Sequence, residues 1–224
     1  IRDLFYATPA RLKFLKTDRT ETGRTIEVIR RIAMVNPNIS FTLNDGNRTN
    51  IRFNEVRGNL PNIKLSRIGE VLGRDFEENS LLIEAEREGF ILTGYAGLPT
   101  LNRRTSSHQF LFVNGRPVQD KLLYGAVRAA YSDFLAYDRH PLVVLFLDAP
   151  KSTLDVNVHP AKSEVRFQEP GLVRGLIIGA LKKTLAEAGC QTSSTVSNAA
   201  LGILNKSISK VASTGVRRSS QSYK

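Results

Sequence analysis

A single lysine stands where a strand pair should turn back on itself. In the run Asp155-Val156-Asn157-Val158-His159-Pro160-Ala161-Lys162-Ser163-Glu164-Val165-Arg166-Phe167, Leu154, Val156 and Val158 alternate with Asp155, Asn157 and His159. That is the period-two pattern of a half-buried strand, and Val165 to Phe167 reads as its return. The proline-containing loop from His159 to Glu164 then projects the Lys162 amine away from the strands, where a cation can meet a phosphate. Asp155 and Asn157 read as orienting the hairpin, and His159 as a hydrogen-bonding partner within the loop rather than a base.

Two further groups are placed to touch anions. Thr8-Pro9-Ala10-Arg11 reads as a helix start, with the threonine oxygen capping free amides and proline preset for the first helical position, so an anion is favoured nearby. Arg103, Arg104 and Arg116 fall in loops where paired guanidinium groups grip phosphates without reading bases. The competing reading is an exposed loop and a hairpin-turn arginine held by a carboxylate. Tyr124 and Tyr131, seven apart, are read as core residues rather than base-stacking ones.

Metal and redox chemistry find little support in the sequence. His108, His140 and His159 lack ligand spacing, and Cys190 is the single cysteine of 224 residues, which rules out an internal disulfide. A hydrophobic content of 41% suits a globular core, and the net charge of +11 favours a polyanionic partner, with a solubilising surface charge as the competing reading. Five of those charges, Lys206, Lys210, Arg217, Arg218 and Lys224, fall in an acid-free tail from 190 to 224 and leave +6 for the rest. That tail has nine serines and few large apolar residues, which predicts disorder. The apolar stretch from Gly171 to Leu181 contains Arg174 and is too short for a membrane span.

The elements that must position these groups follow from periodicity and punctuation. Helices are predicted from Thr8 to Leu15 and from Glu21 to Val35, the second with Ile29, Ile32 and Ala33 on its apolar face and Asn36-Pro37 as its stop. A hairpin pairs Ile39 to Leu43 with Asn50 to Phe53 around Asp45-Gly46. A helix from Asn62 ends at Gly73; strands at Ser80 to Glu86 and Phe90 to Gly97 turn at Glu88-Gly89; a strand at Phe110 to Val113 turns at Asn114-Gly115. Asp120 caps a helix whose stripe runs through Leu123, Val127 and Tyr131 to Phe134. Leu142 to Leu147 is a continuous apolar run, hence a central strand buried on both faces. Pro170 opens a last helix ending at Gly189, whose Gly171, Gly175 and Gly179 are read as packing closely on the sheet. Together these make an α/β sandwich on a mixed sheet.

The Lys162 segment, Phe112-Val113-Asn114-Gly115-Arg116 and the opening Leu4-Phe5-Tyr6-Ala7-Thr8-Pro9-Ala10-Arg11-Leu12-Lys13-Phe14-Leu15 together resemble the MutL family of DNA mismatch repair proteins, from Ile1 to about Gly189. Ala7 departs from the asparagine usual there. The resemblance implies a partial GHKL ATPase domain at 1–58, a transducer domain at 59–189 with a left-handed βαβ crossover of ribosomal-protein type, and a linker at 190–224. It implies an intact parent that binds ATP and Mg2+, forms a homodimer on ATP, and couples mismatch recognition by a MutS-type sensor to strand processing in the cytoplasm, at the nucleoid. Lys162 would reach the terminal phosphate of ATP, with Thr8 and Arg11 near the nucleotide. Arg103, Arg104 and Arg116 would contact double- and single-stranded DNA without sequence preference.

The motifs for a catalytic glutamate, a Mg-binding asparagine and a glycine-rich lid are missing from this chain, so it reads as a fragment expected to hold no cofactor and to be inactive alone. No membrane partner is expected. The alternatives are a basic α/β RNA-binding or ribosomal module, and the transducer of another GHKL protein, a type II topoisomerase or chaperone.

Overall fold

A computed structural model of the chain describes residues 4–46, 48–58, 62–155 and 164–189, and the polypeptide divides into two units, Ile1–Lys182 and Lys183–Lys224. The first unit begins with a 3₁₀ segment, Pro9–Phe14, followed by α1 (Asp18–Val35), the hairpin β1 (Phe41–Asp45) and β2 (Arg48–Phe53), then α2 (Asn62–Leu72) and α3 (Arg74–Glu78). After them come β3 (Ser80–Arg87), β4 (Phe90–Gly97), β5 (Asn102–Arg103), β6 (Gln109–Val113), β7 (Arg116–Val118) and α4 (Lys121–Ala130). The chain continues through β8 (His140–Pro141), β9 (Val143–Asp148), β10 (Leu154–Asp155) and β11 (Arg166–Phe167) into a helix at 170–189, of which 183–189 belong to the second unit.

The central sheet has five strands in the order β3-β4-β9-β6-β7. All neighbours are antiparallel except β6 and β9, which run parallel with Phe110 opposite Val144 and Phe112 opposite Phe146. A parallel pair needs a long crossover, and β7, α4 and β8 supply it. Both tight turns predicted within this sheet form. Glu88 and Gly89 have φ of 51° and 79°, and Asn114 and Gly115 have 47° and 75°, so each hairpin takes a turn whose two central residues are left-handed and match strand twist.

Every residue from Leu142 to Leu147 is buried, as a central strand with two covered faces requires. On one face, Tyr95, Phe110, Phe112, Leu142, Val144 and Phe146 pack against Met34 of α1, Ile68 of α2 and Phe76 of α3. Phe112 and Phe146 stack at 4.9 Å between ring centres. Leu92, Ala96, Leu111, Val113, Val143, Leu145 and Leu147 point to the other face and are buried too. The buried stripes of α4 (Leu123, Ala126, Val127, Ala130) and of the last helix (Val173, Leu176, Ile177, Leu181) are the apolar surface left to cover it. Gly94, at φ +144°, lies where a Cβ would run into the Val144 carbonyl, so only glycine lets β4 and β9 pair there.

Four expectations are corrected. The Pro9–Phe14 turn is 3₁₀ rather than α, and the Thr8 side chain caps nothing. α1 starts three residues early, at Asp18, and buries Ala33 and Met34 while Ile32 is 42% exposed. The buried pair serves two surfaces: Ala33 meets Ile51 and Phe53 of the β1–β2 hairpin, and Met34 meets the sheet. α4 stops at Ala130, leaving Phe134 43% exposed. Gly171 and Gly179 meet nothing within 4 Å of an added Cβ, and Gly175 only the tip of Arg87, so this stripe is not packed on the sheet. The predicted Asp120 cap is present, its Oδ1 accepting from the amides of Leu122 (2.9 Å) and Leu123 (3.2 Å).

One feature of the junction had no sequence signal. Arg67 on α2 is wholly buried. Its Nη2 donates to the carbonyls of Pro37 (2.7 Å), Ile39 (2.9 Å) and Asn54 (2.6 Å), and its guanidinium lies 5.9 Å from the Phe41 ring centre and 5.7 Å from that of Phe53. Among the described residues Nε and Nη1 have no hydrogen-bond acceptor, although Glu70 Oε2 is 3.5 Å from Nε. Burial lowers the Arg67 pKa and the Glu70 charge partly offsets this. Ile68 in the sheet core and Val71 against the hairpin flank this arginine, so α2 joins the two clusters.

Candidate functional site

The segment that contains Lys162 is flanked by a short strand pair. Leu154 pairs with Phe167 and Asp155 with Arg166, while Val165 and Phe167 are buried. Gln168 tightens the base, its amide donating to the Thr153 carbonyl (2.9 Å) and its side-chain nitrogen to that of Ser152 (2.7 Å). Lys162, with Asn157 and His159, lies outside the described residues.

The second motif is locked to the strand that leads into that hairpin. Asn114, in the β6–β7 turn, pairs its side chain with the backbone of Ala149: Nδ2 donates to the carbonyl (3.0 Å) and Oδ1 accepts from the amide (2.8 Å). Its own amide donates to the Leu147 carbonyl at 2.9 Å. The asparagine thus extends the β6–β9 ladder past its end and holds the turn bearing Arg116 beside the chain running to β10. No special role for Asn114 is visible in the sequence beyond its fitness for a left-handed turn.

Arg103, Arg104 and Arg116 are all exposed, and none is paired with a carboxylate among the described residues. The carboxylate-held alternative for Arg116 therefore finds no partner there. The fold adds residues that reading along the chain does not reveal. His108 is half-buried, its Nδ1 3.0 Å from Ser107 Oγ, and its pKa is lowered first by desolvation and then by Arg103 and Arg30, with Glu27 opposing. Arg30 of α1 is therefore an electrostatic neighbour of Arg103 although the two lie far apart in the chain. Along the same helix Arg24 and Arg31 line an open groove with Thr20, Glu27 and Gln119, and Arg31 is paired with Glu27 at 2.7 Å. Their four- and seven-residue spacing marks one helix face, a signal available in the sequence but meaningless until α1 is placed beside β6.

Tyr131 is a core residue, as read, while Tyr124 is only partly buried, its OH donating to the Gln109 carbonyl at 3.4 Å. Tyr131 OH donates to the Gly97 carbonyl at 2.6 Å, and burial pushes its pKa well above the ordinary value. In the opening segment, the Thr8 amide donates to Phe5 and the Arg11 amide to Thr8, both at 2.9 Å, and Pro9 has no N–H. These turn amides are already used, so what this segment offers an anion is chiefly the exposed side chain of Arg11. Among the described residues no group of three His, Cys, Asp or Glu is placed to hold a metal, and no helix is long and apolar enough to cross a membrane.

Comparison with known proteins defines the class and then the family. The Aquifex aeolicus MutL ATPase domain complexed with ADP matches with a TM-score of 0.52 at 26% identity, over 79% of this chain and 55% of that one. The N-terminal domain of a DNA repair protein shares the fold with a TM-score of 0.61 at 23% identity, over 82% of this chain and 59% of that one. The mixed α/β architecture is thus that of GHKL-type ATPase proteins. The model of the DNA mismatch repair protein C-terminal domain matches residues 68–186, and the chain belongs to this DNA mismatch repair family. The DNA mismatch repair protein MutL of Rhodospirillum rubrum is 61% identical over 91% of the chain, which spans 32% of that protein's length.

Proposed function

We propose that this chain is the transducer portion of a MutL-type DNA repair protein, with residues 1–58 the end of its ATPase domain, 59–189 the transducer and 190–224 the start of a linker. The 61% identity to a protein named MutL, maintained along 91% of the chain, carries the reading. A relative solved with ADP supports ATP as the nucleotide of the longer protein. Bound ATP with Mg2+ would supply the triphosphate; this chain's own contribution is positive charge. Lys162, on a hairpin with a buried base, would neutralise the terminal phosphate, and Arg11 would lie along the nucleotide site, with Thr8 contributing less because its amide is already used.

Such an interaction makes closure of the two domains depend on a triphosphate, and in the longer protein that closure would drive homodimer formation and communication with a MutS-type mismatch sensor, in the cytoplasm and near the nucleoid. The exposed Arg103, Arg104 and Arg116, with Arg30 near Arg103, would hold single- or double-stranded DNA through its phosphates, without sequence preference. In a protein carrying the full ATPase domain, Lys162→Ala is expected to slow ATP hydrolysis by on the order of tenfold or more and to weaken ATP-driven dimerisation. Unchanged rates and an unchanged dimer would reduce Lys162 to a surface residue. The present chain alone is expected neither to retain ATP on a filter nor to release phosphate.

A further inference from the structure

Between α4 and β8 the chain holds an aromatic ring in the open. Tyr137 is 87% exposed, yet its position is set from beneath: Arg128 Nη2 donates to the Tyr137 carbonyl at 2.7 Å, and the Arg128 guanidinium carbon lies 4.0 Å from the ring centre. One face of the ring is therefore occupied by a flat cation and the other is left to solvent. Beside it is a groove of about 160 Å³ lined by Arg128, Ser132, Tyr137, Arg139, His140 and Pro141. The acidic groups nearby do not neutralise it. Asp133 is taken up by Lys182 at 2.7 Å, which with Ser132 holds its carboxyl below the usual range, and Asp138 stands 4.0 Å from Arg139 Nε with most of its side chain in water. The β5–β8 ladder sets His140 directly opposite Arg103, so the groove adjoins the basic rim.

We propose that Tyr137, backed by Arg128, is a stacking platform for an unpaired base, and that the groove with Arg139 and His140 takes the adjoining phosphates of single-stranded DNA. The inference rests on the DNA-binding reading above and deepens it by assigning a strand type to one place on the rim. A ring with a free face presents its π surface to a base, and the guanidinium behind it adds a cation that favours a nearby phosphate. A duplex keeps its bases stacked inside and offers the tyrosine nothing beyond phosphate. An acidic peptide would use the cations equally well but would leave the ring face idle, which is why a nucleobase is the better fit.

The test is fluorescence anisotropy of the whole chain with a labelled oligothymidylate, a duplex of equal length and an oligoglutamate, at one salt concentration. Tyr137→Ala should weaken the oligothymidylate by roughly fivefold or more, Tyr137→Phe should stay within about twofold, and the duplex should stay within about twofold for both. If Tyr137→Ala lowers the melting temperature, Tyr137→Leu, which keeps bulk but loses the π face, replaces it. Oligothymidylate binding that ignores loss of the ring overturns the proposal, and so does an equal loss for oligothymidylate and oligoglutamate, which would mark an acidic-peptide site. Duplex binding by the unsubstituted chain reads the rim separately: its absence at low salt defeats Arg103, Arg104 and Arg116 as a DNA-binding set, whatever the tyrosine does.

Discussion

Arg67 and Arg103 carry the same charge in opposite surroundings. Arg67 has lost all its water and is solvated instead by three backbone carbonyls and two aromatic rings, while Arg103 is exposed and, among the described residues, donates only to the carbonyl of the preceding Asn102. A buried guanidinium whose acceptors belong to two loops acts as a structural tie, because moving either loop strands a charge in a dry interior. An exposed one with no carboxylate keeps its charge available for a partner. Near α2 the basic chemistry has been used to build the fold; at Arg103 and Arg104, at Arg116 where β7 begins and at Arg30 of α1 it is left on the surface. The count of basic residues alone, 32 of 224, does not separate these roles.

The largest effect should come from removing the buried cation. Arg67→Ala leaves the carbonyls of Ile39 and Asn54 without their guanidinium donor and opens a cavity between hairpin and α2, so a loss of about 3–5 kcal/mol is expected by denaturant unfolding. Tolerance of the change would show that the tie is incidental. Arg67→Lys sharpens the point, since an ammonium keeps the charge but ends short of the Nη2 position and gives up the planar group that faces the Phe41 and Phe53 rings; about 2 kcal/mol should be lost, measured the same way. If lysine costs as much as alanine, donor geometry rather than charge is what the junction needs.

At the rim the pattern should reverse. Arg103→Glu and Arg116→Glu should each leave the unfolding free energy within about 0.5 kcal/mol. Each should weaken duplex binding severalfold and lower the magnitude of the salt slope by roughly 0.9 for every phosphate no longer neutralised. A drop in stability with an unchanged salt dependence would erase the distinction between the two regions.

The smallest effect concerns His108. Desolvation, Arg103 and Arg30 hold its pKa below the ordinary 6.5. In the free chain it is therefore neutral through most of the pH range, and as pH falls from 6.5 toward the lower folded value the unfolded state takes up the proton first, so a little stability is lost. Phosphates arriving at Arg103 would raise that pKa, so duplex affinity should increase as pH falls below about 6.5. His108→Gln should flatten both trends, as read by binding and unfolding titrations between pH 5 and 8.

The longer strands, the two left-handed turns, the Asp120 cap and the doubly buried β9 are legible in the chain, because each follows from residue types within a few positions, whereas β5 and β8, two residues each, are not. Apolar alternation, Asn-Gly and a long apolar run carry their structural meaning locally. The short Pro9–Phe14 turn and the exposed Ile32 are not legible for the converse reason: helix type in a six-residue segment and the buried face of a wedged helix depend on what lies alongside. The position of Lys162 between two strands is readable, and its surroundings lie outside the described residues.

Residue order by itself therefore determined where the longer hairpins turn, which of the longer segments are strands, and which cations fall in loops and turns. Only the tertiary structure decided which cations an anion can reach. Packing α2 between hairpin and sheet buried Arg67, placing α1 beside β6 made Arg30 a neighbour of Arg103 and His108, and ending α4 at Ala130 left Tyr137 resting on Arg128 with one face open. Hydrogen bonds and hydrophobic periods act over a few residues, whereas desolvation and Coulomb interactions depend on distance in space, which no reading along the chain supplies.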